Sequence, residues 1–395
     1  MMPDKKTVVF FTNSFPNHLQ PHRGVYTEHL VAAAGGLIDP VIVCPLPWVP
    51  RVSLLKRFSS QYLFARIPRE YDYKGFHVYS PKYPVVPKVP WLSPWSMALG
   101  SYPLLKRLAC TRSIDVINAQ NVFPEGIAAV WLAARLDLPV VITAVGSDIN
   151  EAAESRLRLR MTKNALRQAR HATAKSMLLG EKIIGMGMDP GRVHYTPNGV
   201  DTALFHLQDK TACRKALGLK QDIKIMLFVG KFRQVKGIHD LLEALHILDE
   251  QGALDFQTVL IGSGPAERDY VRMMQAFGID DRVFLAGNRS HSEIAQWMGA
   301  SDLFCLPSLR EGMPNVVLEA LASGRPVVAT RVGAVPDLVN ESSGILVSPA
   351  DPQSLARAIS EAMSRTWSPE QIRARVQDMS WERAAARYAD IFSQC

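Results

Sequence analysis

Short apolar runs alternate with helical patterns along most of the chain. In the first half, runs of four to six residues predict strands, and helical spacing of apolar side chains predicts the helices between them. The predicted strands are Thr7–Thr12, Pro40–Cys44, Asp115–Ala119, Pro139–Thr143 and His171–Ala174, and the predicted helices are Thr27–Ala34 and Arg156–Ala169. Strands alternating with helices favour parallel sheets that are covered by helices on both faces.

The same pattern restarts after Pro197-Asn198-Gly199-Val200-Asp201, a segment dense in turn residues that marks a boundary. The predicted strands of the second half are Ile225–Val229, Thr258–Ile261, Val283–Ala286, Leu303–Leu306, Val327–Ala329 and Gly344–Val347, and the helices are Ile238–Leu248, Ala266–Phe277, Ser292–Met298 and Val316–Ala322. We therefore predict an α/β fold with two Rossmann-like, doubly wound domains that face a cleft, at residues 1–200 and 201–375.

Residues 45–110 do not follow this pattern and are rich in Pro, Trp and Tyr. The segment is long for a connection, so we expect part of it to be a substrate-side excursion or a short helical insert. Its Lys56-Arg57-Phe58 cluster is open to two interpretations, contact with lipid or ordinary packing.

Composition indicates a soluble globular protein. Of the 395 residues, 47% are hydrophobic and 21% are charged, and the length suffices for two or three domains. The five cysteines lie far apart without a CxxC pair, which argues against a zinc site or a disulfide framework and favours a reducing cytosol. We find no signal peptide and no apolar run near the roughly 20 residues that a membrane helix needs.

Charge is distributed unevenly between the halves. Residues 1–200 carry 24 Lys and Arg against 13 Asp and Glu, whereas residues 201–395 carry 21 against 24. The basic half is either a solvated surface or a surface for an anionic acceptor or an anionic membrane. Nucleic acid is disfavoured because no nucleic-acid motif accompanies the charge.

Two acids eight positions apart, Glu311 and Glu319, frame the most informative segment of the chain. Pro314 between them is suited to the first position of a helix, where its missing N–H costs nothing. The free N–H groups at such a helix start, with the helix dipole, bind anions such as phosphate. A carboxylate on either side can accept hydrogen bonds from sugar hydroxyls, so the segment suggests a nucleotide sugar.

Glycines follow several predicted strands, where ligands bind in doubly wound sheets. Gly230 and Gly262 are examples, although a glycine at such a place is usually only a turn. Lys231 and Lys236 could neutralise a diphosphate leaving group, or they are two solvated lysines. There is no GxGxxG fingerprint with an acid at the right distance and no DxD motif, which disfavours a nicotinamide cofactor and a bound divalent cation.

Two strand ends of the first half carry further candidates. Gly24, in Pro21-His22-Arg23-Gly24-Val25, could let a loop close over a diphosphate, and Arg23 is a candidate for binding the acceptor. Asp148, in Gly146-Ser147-Asp148, could bind the acceptor or cap the next helix.

Several of these motifs, in this order, resemble the retaining glycosyltransferases of family 4, which have the GT-B fold. The resemblance covers nearly the whole chain and is most specific at Glu311 to Glu319 with its tail Ala320-Leu321-Ala322-Ser323-Gly324-Arg325-Pro326-Val327-Val328. The supporting motifs are Gly230-Lys231 with Lys236-Gly237, Gly262-Ser263-Gly264-Pro265, Pro307-Ser308-Leu309-Arg310-Glu311-Gly312, Gly146-Ser147-Asp148 and Pro197-Asn198-Gly199-Val200-Asp201.

The resemblance implies roles for individual residues. Glu311 contacts the transferred sugar, the backbone of Gly312, Met313, Pro314 and Asn315 holds sugar and phosphate, and Glu319 accepts from the ribose. The remaining implied donor-binding residues are Gly24, Gly230, Lys231, Lys236, Gly262 and Gly287, with Lys231, Lys236 and Glu311 as the catalytic set. The fold also implies that a last helix within residues 376–395 crosses back onto the first domain.

One departure from the family pattern is Val145, which stands before Gly146-Ser147-Asp148 where the family often carries His or Arg. The valine leaves three interpretations open. The enzyme transfers a different sugar, a residue such as His22 or Arg23 takes the place of the missing His or Arg, or the activity is weak. The alternatives to a transferase are a catalytically weak protein that binds nucleotide sugar, a sugar-nucleotide epimerase and a phosphorylase of similar fold, although we find no pyridoxal-phosphate lysine for the last.

The activity implied by the resemblance is metal-independent transfer of a hexose, with retention, from a UDP- or GDP-linked donor to a glycan or lipid-linked acceptor. The expected setting is bacterial polysaccharide biosynthesis in the cytoplasm, with a place at the inner face of the membrane as one option. No cofactor is expected besides the nucleotide sugar, which is a co-substrate.

Overall fold

The chain divides into two compact units in the computed structural model, which describes residues 5–48, 60–86 and 89–395. One unit consists of residues 1–197 together with 381–395, and the other of residues 198–380. The predicted boundaries were at 200 and 375. The Lys56-Arg57-Phe58 cluster lies outside the described residues.

The first unit is built on an eight-stranded sheet in the order β10-β9-β8-β7-β1-β2-β5-β4, which is parallel except for the β4–β5 pair. Its strands are β1 (Thr7–Phe11), β2 (Asp39–Val43), β4 (Glu70–Tyr73), β5 (Phe76–Tyr79), β7 (Val116–Gln120), β8 (Val140–Ala144), β9 (His171–Ala174) and β10 (Val193–Tyr195), and a separate parallel pair is formed by β3 (Leu46–Trp48) and β6 (Lys82–Pro84). The five strands predicted from the sequence of this unit all lie within this sheet.

Helices cover both faces of this sheet, whose central strands are buried throughout. The helices are α1 (Val25–Ala34), α2 (Ser93–Thr111), α3 (Ile127–Leu136), α4 (Ser147–Asn150), α5 (Arg156–Gln168), α6 (Met177–Gly185) and the C-terminal α15 (Trp381–Ser393). Every residue of β7 and β8 is buried, as in a sheet with two covered faces. The C-terminal helix packs on α1 and places Tyr388 and Phe392 in the core around Phe10.

Residues 45–110 are more regular than the sequence indicated. They supply the β4–β5 hairpin, the β3–β6 pair and the 19-residue helix α2. The helix was obscured because it contains Pro94 at its start and Pro103 in its interior, where proline removes a backbone hydrogen bond.

The second unit has a six-stranded parallel sheet in the order β13-β12-β11-β14-β15-β16. Its strands are β11 (Lys224–Val229), β12 (Phe256–Ile261), β13 (Val283–Gly287), β14 (Leu303–Leu306), β15 (Val327–Thr330) and β16 (Gly344–Val347), and its helices are α7 (Lys210–Ala216), α8 (Ile238–Glu250), α9 (Glu267–Phe277), α10 (His291–Ala300), α11 (Asn315–Ala322), α12 (Val335–Leu338), α13 (Pro352–Ser364) and α14 (Pro369–Ala374). All six predicted strands are confirmed within about two residues, the usual uncertainty of element ends.

Strand order places the site-forming edge of each sheet. In the second unit the chain runs outward from β11 to β12 and β13, and then crosses to the other side of β11 for β14, β15 and β16. The loops after β11 and β14 therefore diverge at a topological switch point, the place where doubly wound sheets bind ligands. The switch point of the first unit lies between β1 and β7.

Among the residues that the structure describes, none of the helices is both long and apolar enough to cross a membrane.

Candidate functional site

Two loops meet at the switch point of the second unit, the segment 230–237 after β11 and the segment 307–314 after β14. The backbone N–H of Leu309 donates to the carbonyl oxygen of Val235 at 2.8 Å. Gly237, at the start of α8, has φ +65°, and a Cβ there would lie 1.9 Å from the Pro307 carbonyl oxygen. Only glycine permits this approach, so the two loops pack directly against each other.

Lys236 and Glu311 pair across these two loops. The Nζ of Lys236 lies 2.7 Å from Oε1 of Glu311, and the side chains are 24% and 10% exposed. Lys231 belongs to the same loop as Lys236, but its side chain is exposed and makes no ion pair with any described residue. The structure therefore joins two of the three residues predicted to be catalytic.

Helix α11 starts four residues after Glu311 and leaves backbone donors without partners among the described residues. Its first residue is Asn315 and its N-cap is Pro314, so the prediction that Pro314 occupies the first helical position is wrong by one residue. Within the described part of the chain, the N–H groups of Gly312, Met313 and Asn315 have no acceptor. Free amides at the positive end of a helix, with the Lys236 ammonium nearby, form a site for an anion.

Asn198 supports this helix start and was missed as a site residue. Its side-chain amide donates to Oδ1 of Asn315 at 2.8 Å, and its backbone N–H donates to the Sδ of Met313 at 3.0 Å. In the sequence, residues 197–201 indicated a domain boundary and supported the family resemblance, but Asn198 was given no role at the site. The buried Asn198 thus holds the side chain of Asn315 through its Oδ1, and Asn315 is itself buried.

Gly333 lies against the backbone of Glu311 and Gly312, and it was also not predicted as a site residue. It has φ +57°, and a Cβ there would lie 2.4 Å from the carbonyl oxygens of both Glu311 and Gly312. The next residue, Ala334, donates its N–H to the Gly312 carbonyl oxygen at 2.8 Å. The signal in the sequence was a glycine soon after a strand, the same signal that singled out Gly230 and Gly262.

Glu319 lies one turn into α11 and is 8% exposed. No described residue donates a hydrogen bond to its carboxylate. Burial disfavours the charged form and raises the pKa of Glu319 to about 7. A buried carboxyl without a partner in the protein is suited to accept from a ligand.

The raised pKa predicts a pH-dependent stability. Between its ordinary pKa and about 7, Glu319 holds a proton in the folded state that the unfolded chain has released. The free energy of unfolding should therefore fall by about 3 kcal/mol as the pH rises from about 4.5 to 7 and above. In the Glu319→Gln variant this pH-dependent part of the free energy of unfolding should vanish. Urea unfolding of the wild type and the variant at pH 5 and pH 8 measures it. Parallel pH profiles for the two would contradict the burial argument.

The strand-end glycines act through backbone geometry. The N–H of Gly230 donates to the Ile261 carbonyl oxygen, and that of Gly262 donates to the Gly287 carbonyl oxygen, both at 2.9 Å. Gly262 has φ +140°, and a Cβ there would lie 1.9 Å from the Gly230 carbonyl oxygen. The amides of Gly230 and Gly262 are thus already used within the protein. Because these glycines lack side chains, a nucleotide sugar would be able to approach their backbone closely. Their role in binding the nucleotide sugar stays a prediction.

In the first unit, Gly24 is the N-cap of α1 with φ +71°, and a Cβ there would lie 2.0 Å from the Ser14 carbonyl oxygen. The guanidinium of Arg23 donates to the Asn13 carbonyl oxygen at 2.8 Å and stacks over the Phe64 ring. Both residues therefore shape the loop after β1. Their roles toward the diphosphate and the acceptor stay predictions.

Asp148 is 3% exposed, and its carboxylate is directed at backbone. It accepts from the N–H groups of Val122 and Gly146, each at 2.8 Å, and from that of Val145 at 3.2 Å. The candidate acceptor-binding acid thus holds together the loops after β7 and β8. This differs from the capping role that the sequence left open, because Asp148 lies inside α4 and accepts from N–H groups outside that helix. Its role toward the acceptor stays a prediction.

Glu125 is a buried acid that sequence reasoning missed. It lies after β7, at the switch point of the first unit, and its Oε1 accepts from the N–H of Asn13 at 3.2 Å. Burial raises the pKa of Glu125 to about 7. Nothing in the sequence marked Glu125 as a site residue. A single glutamate in a Phe-Pro-Glu-Gly segment has no special pattern, and its burial is visible only in the structure.

Comparison with known proteins covers both units. Residues 209–379 match the family model described as glycosyl transferases group 1, and residues 25–204 match that of glycosyltransferase family 4. A putative teichuronic acid biosynthesis glycosyltransferase, TuaC of Bacillus subtilis (strain 168), is 30% identical over 373 residues, or 92% of this chain and 91% of that protein. A D-inositol 3-phosphate glycosyltransferase of Streptosporangium roseum is 33% identical over 220 residues, 52% of this chain and 51% of that protein.

Solved structures agree on the fold. HepE of Anabaena in complex with UDP aligns with a TM-score of 0.73 at 20% identity, over 99% of this chain and all of that one. The sucrose-phosphate synthase of Thermosynechococcus elongatus aligns with a TM-score of 0.75 at 20% identity, over 99% and 98% of the two chains. Since the family models and the B. subtilis relative together cover most of both units, the chain belongs to glycosyltransferase family 4, the group 1 glycosyltransferases, and has the GT-B fold.

Proposed function

We propose that this glycosyltransferase moves a hexose, with retention, from a nucleotide-diphospho-sugar to a glycan or lipid-linked acceptor in bacterial polysaccharide biosynthesis. The observation that carries the proposal is the Lys236–Glu311 pair at the start of α11, beside the free amides of Gly312, Met313 and Asn315. The naming of the B. subtilis relative for teichuronic acid biosynthesis supports the polysaccharide setting.

The donor would lie along the segment from Glu311 to Glu319. Its diphosphate would take the free amides at the helix start and the Lys236 ammonium, with the exposed Lys231 able to reach it from the same loop. Glu311 would accept from hydroxyls of the transferred sugar, and Glu319 from the ribose. Because hydrogen bonds to the ionised form lower the pKa of a carboxyl, donor binding would draw the pKa of Glu319 down from about 7.

Retention would follow from displacement on a single face of the sugar. The diphosphate leaves as the anomeric carbon gains positive charge, the acceptor hydroxyl enters on the same side, and a phosphate oxygen takes its proton. The residues of this chain would then stabilise the leaving diphosphate and orient the sugar, and no residue would serve as a nucleophile. The paired carboxylates of a glycosidase must both face one anomeric carbon, whereas Glu311 and Glu319 serve the two ends of one donor.

UDP-sugars are the first donors to test, because HepE has been solved with UDP and with UDP-glucose. We expect one nucleotide sugar of a UDP and GDP panel to raise the melting temperature, since a tight ligand stabilises the folded state by mass action. That donor should then support transfer, or slow hydrolysis without acceptor, at an undiminished rate in excess chelator. A rate abolished by the chelator would contradict metal independence. Saturable binding without turnover across acceptors would favour the catalytically weak alternative raised by Val145.

A further inference from the structure

The helix α5 of the first unit presents an unpaired row of cations. Arg156, Arg160, Lys163 and Arg167 follow one another at intervals of four, three and four residues. At about 100° per residue they fall within roughly 60° of the helix circumference, and they extend over about 16 Å of its length. The opposite face, with Thr162, Ala165 and Leu166, is buried, so the row points away from the core.

These four side chains have no charged or hydrogen-bonding partner among the described residues, although the guanidinium of Arg167 lies against Gly187. None of them makes an ion pair or a side-chain hydrogen bond with the residues described in 5–48, 60–86 and 89–395. Arg158 on the same helix behaves differently, because it pairs with Glu151 at 3.2 Å and stacks over the Phe123 ring. The free cations are therefore not explained by the packing of α5, whereas Arg158 is.

Helix α5 itself contains no acid that could compensate this charge. Between Glu154 and Glu181 the chain carries seven Lys and Arg and no Asp or Glu. The eight residues bordering the depression of about 750 Å³ along α5 all belong to this helix, and none of them is acidic. Such a surface attracts a partner with a high density of negative charge.

An apolar side chain accompanies the cations. Leu157 is 46% exposed at the N-terminal end of the row. Helix α5 has no aromatic residue on which a base or a sugar could stack. Proteins that bind single-stranded nucleic acid use such aromatic rings. Cations with an exposed leucine on one helix match a bilayer, which offers phosphate groups and an apolar layer next to each other.

We propose that the Arg156–Arg160–Lys163–Arg167 face of α5 docks on a membrane that carries anionic lipid. Phosphate headgroups would contact the four cations, and Leu157 would enter the boundary between headgroups and acyl chains. This contact needs neither donor nor acceptor, so it stands apart from the proposed reaction. If the acceptor is lipid-linked, docking would hold the enzyme at the surface where that acceptor is found.

Vesicle co-sedimentation of the full chain, without nucleotide sugar, tests the proposal. We expect binding to vesicles of phosphatidylcholine with phosphatidylglycerol, little binding to pure phosphatidylcholine, and release at 0.5 M salt, where charge interactions are screened. The variant with Arg156, Arg160, Lys163 and Arg167 replaced by Gln should lose at least about thirty-fold in partitioning. Its melting temperature should remain unchanged, because glutamine suits a helix and none of the four positions is buried.

A control variant with the same number of charges removed elsewhere tests whether vesicle binding depends on the α5 face or on net charge alone. Replacing Lys215, Lys220, Arg268 and Arg357 of the second unit by Gln removes the same charge from exposed positions, and it should change partitioning by less than about twofold. An equal loss in both variants, or undiminished binding of the α5 variant, would overturn the proposal.

Leu157→Ser distinguishes the membrane from a soluble polyanion. It should weaken vesicle binding about fivefold, because a leucine that enters the bilayer is lost. Binding of wild type to polygalacturonate but not to anionic vesicles would show that the face serves a polyanion, and the membrane proposal would fail. Transfer activity measured with a soluble acceptor does not depend on α5, so a failure there would concern the proposed function instead.

Discussion

Replacing Glu311 by Gln should lower kcat/KM for sugar transfer at least about a hundredfold, which is about 3 kcal/mol of transition-state stabilisation. The substitution keeps the size of the side chain but removes the charge that Lys236 faces at 2.7 Å. The Lys236 ammonium then loses its fixed position beside the diphosphate, and the sugar hydroxyls lose a charged acceptor. Steady-state rates at saturating and limiting donor measure the effect.

Glu341→Gln is the matched control, because Glu341 is an exposed acid of the same unit and carries no predicted role. It should retain the wild-type rate. The pairing itself can be tested with Lys236→Gln and the double variant, whose loss should be much smaller than the product of the single losses because the two side chains act as a unit. Activity within threefold of wild type in Glu311→Gln would refute the role given to this residue.

Gly237→Ala should destabilise the second unit by at least about 3 kcal/mol and abolish donor binding. A Cβ at Gly237 would overlap the Pro307 carbonyl oxygen at 1.9 Å, and the backbone there has φ +65°, which costs an alanine about 1 kcal/mol by itself. Relief requires the loop after β14, which carries Glu311, to move away from the loop that carries Lys236. Urea unfolding and calorimetric titration of the donor measure the two consequences.

Gly252 offers a control with the same backbone and no collision. It follows the other end of α8, has φ +65°, and has no heavy atom within 4 Å of the position that a Cβ would occupy. Gly252→Ala should therefore cost about 1 kcal/mol and leave donor affinity unchanged. Equal losses in both variants would mean that the helix-end conformation matters and the close approach to Pro307 does not.

Much of the fold was predictable because strand and helix periodicity is a local property of the sequence. The six strands of the second unit, the motif order and the Glu311 to Glu319 segment were read without reference to the rest of the chain. The helix α2 escaped prediction because its two prolines mask the helical pattern locally, while the packing of Met97, Leu105 and Leu108 into the core stabilises it.

The site was predictable only in part, since sequence patterns do not show which loops meet. Glu311 and Lys236 were both named, yet their pairing across 75 positions depends on β14 lying beside β11. Asp148 was named for the acceptor, and only its three backbone donors show that it ties two loops together.

The sequence by itself therefore determined the α/β class, the family and the segment of the second half that carries the site. The tertiary structure decided which polar groups remain available: among the described residues, the amides of Gly312, Met313 and Asn315 and the carboxylate of Glu319 have no partner, whereas Oδ1 of Asn315 and the carboxylate of Asp148 accept from neighbouring groups. The physical reason is that chemical type and spacing are written along the chain, but a hydrogen-bonding group becomes available or occupied only through neighbours that strand order brings to it.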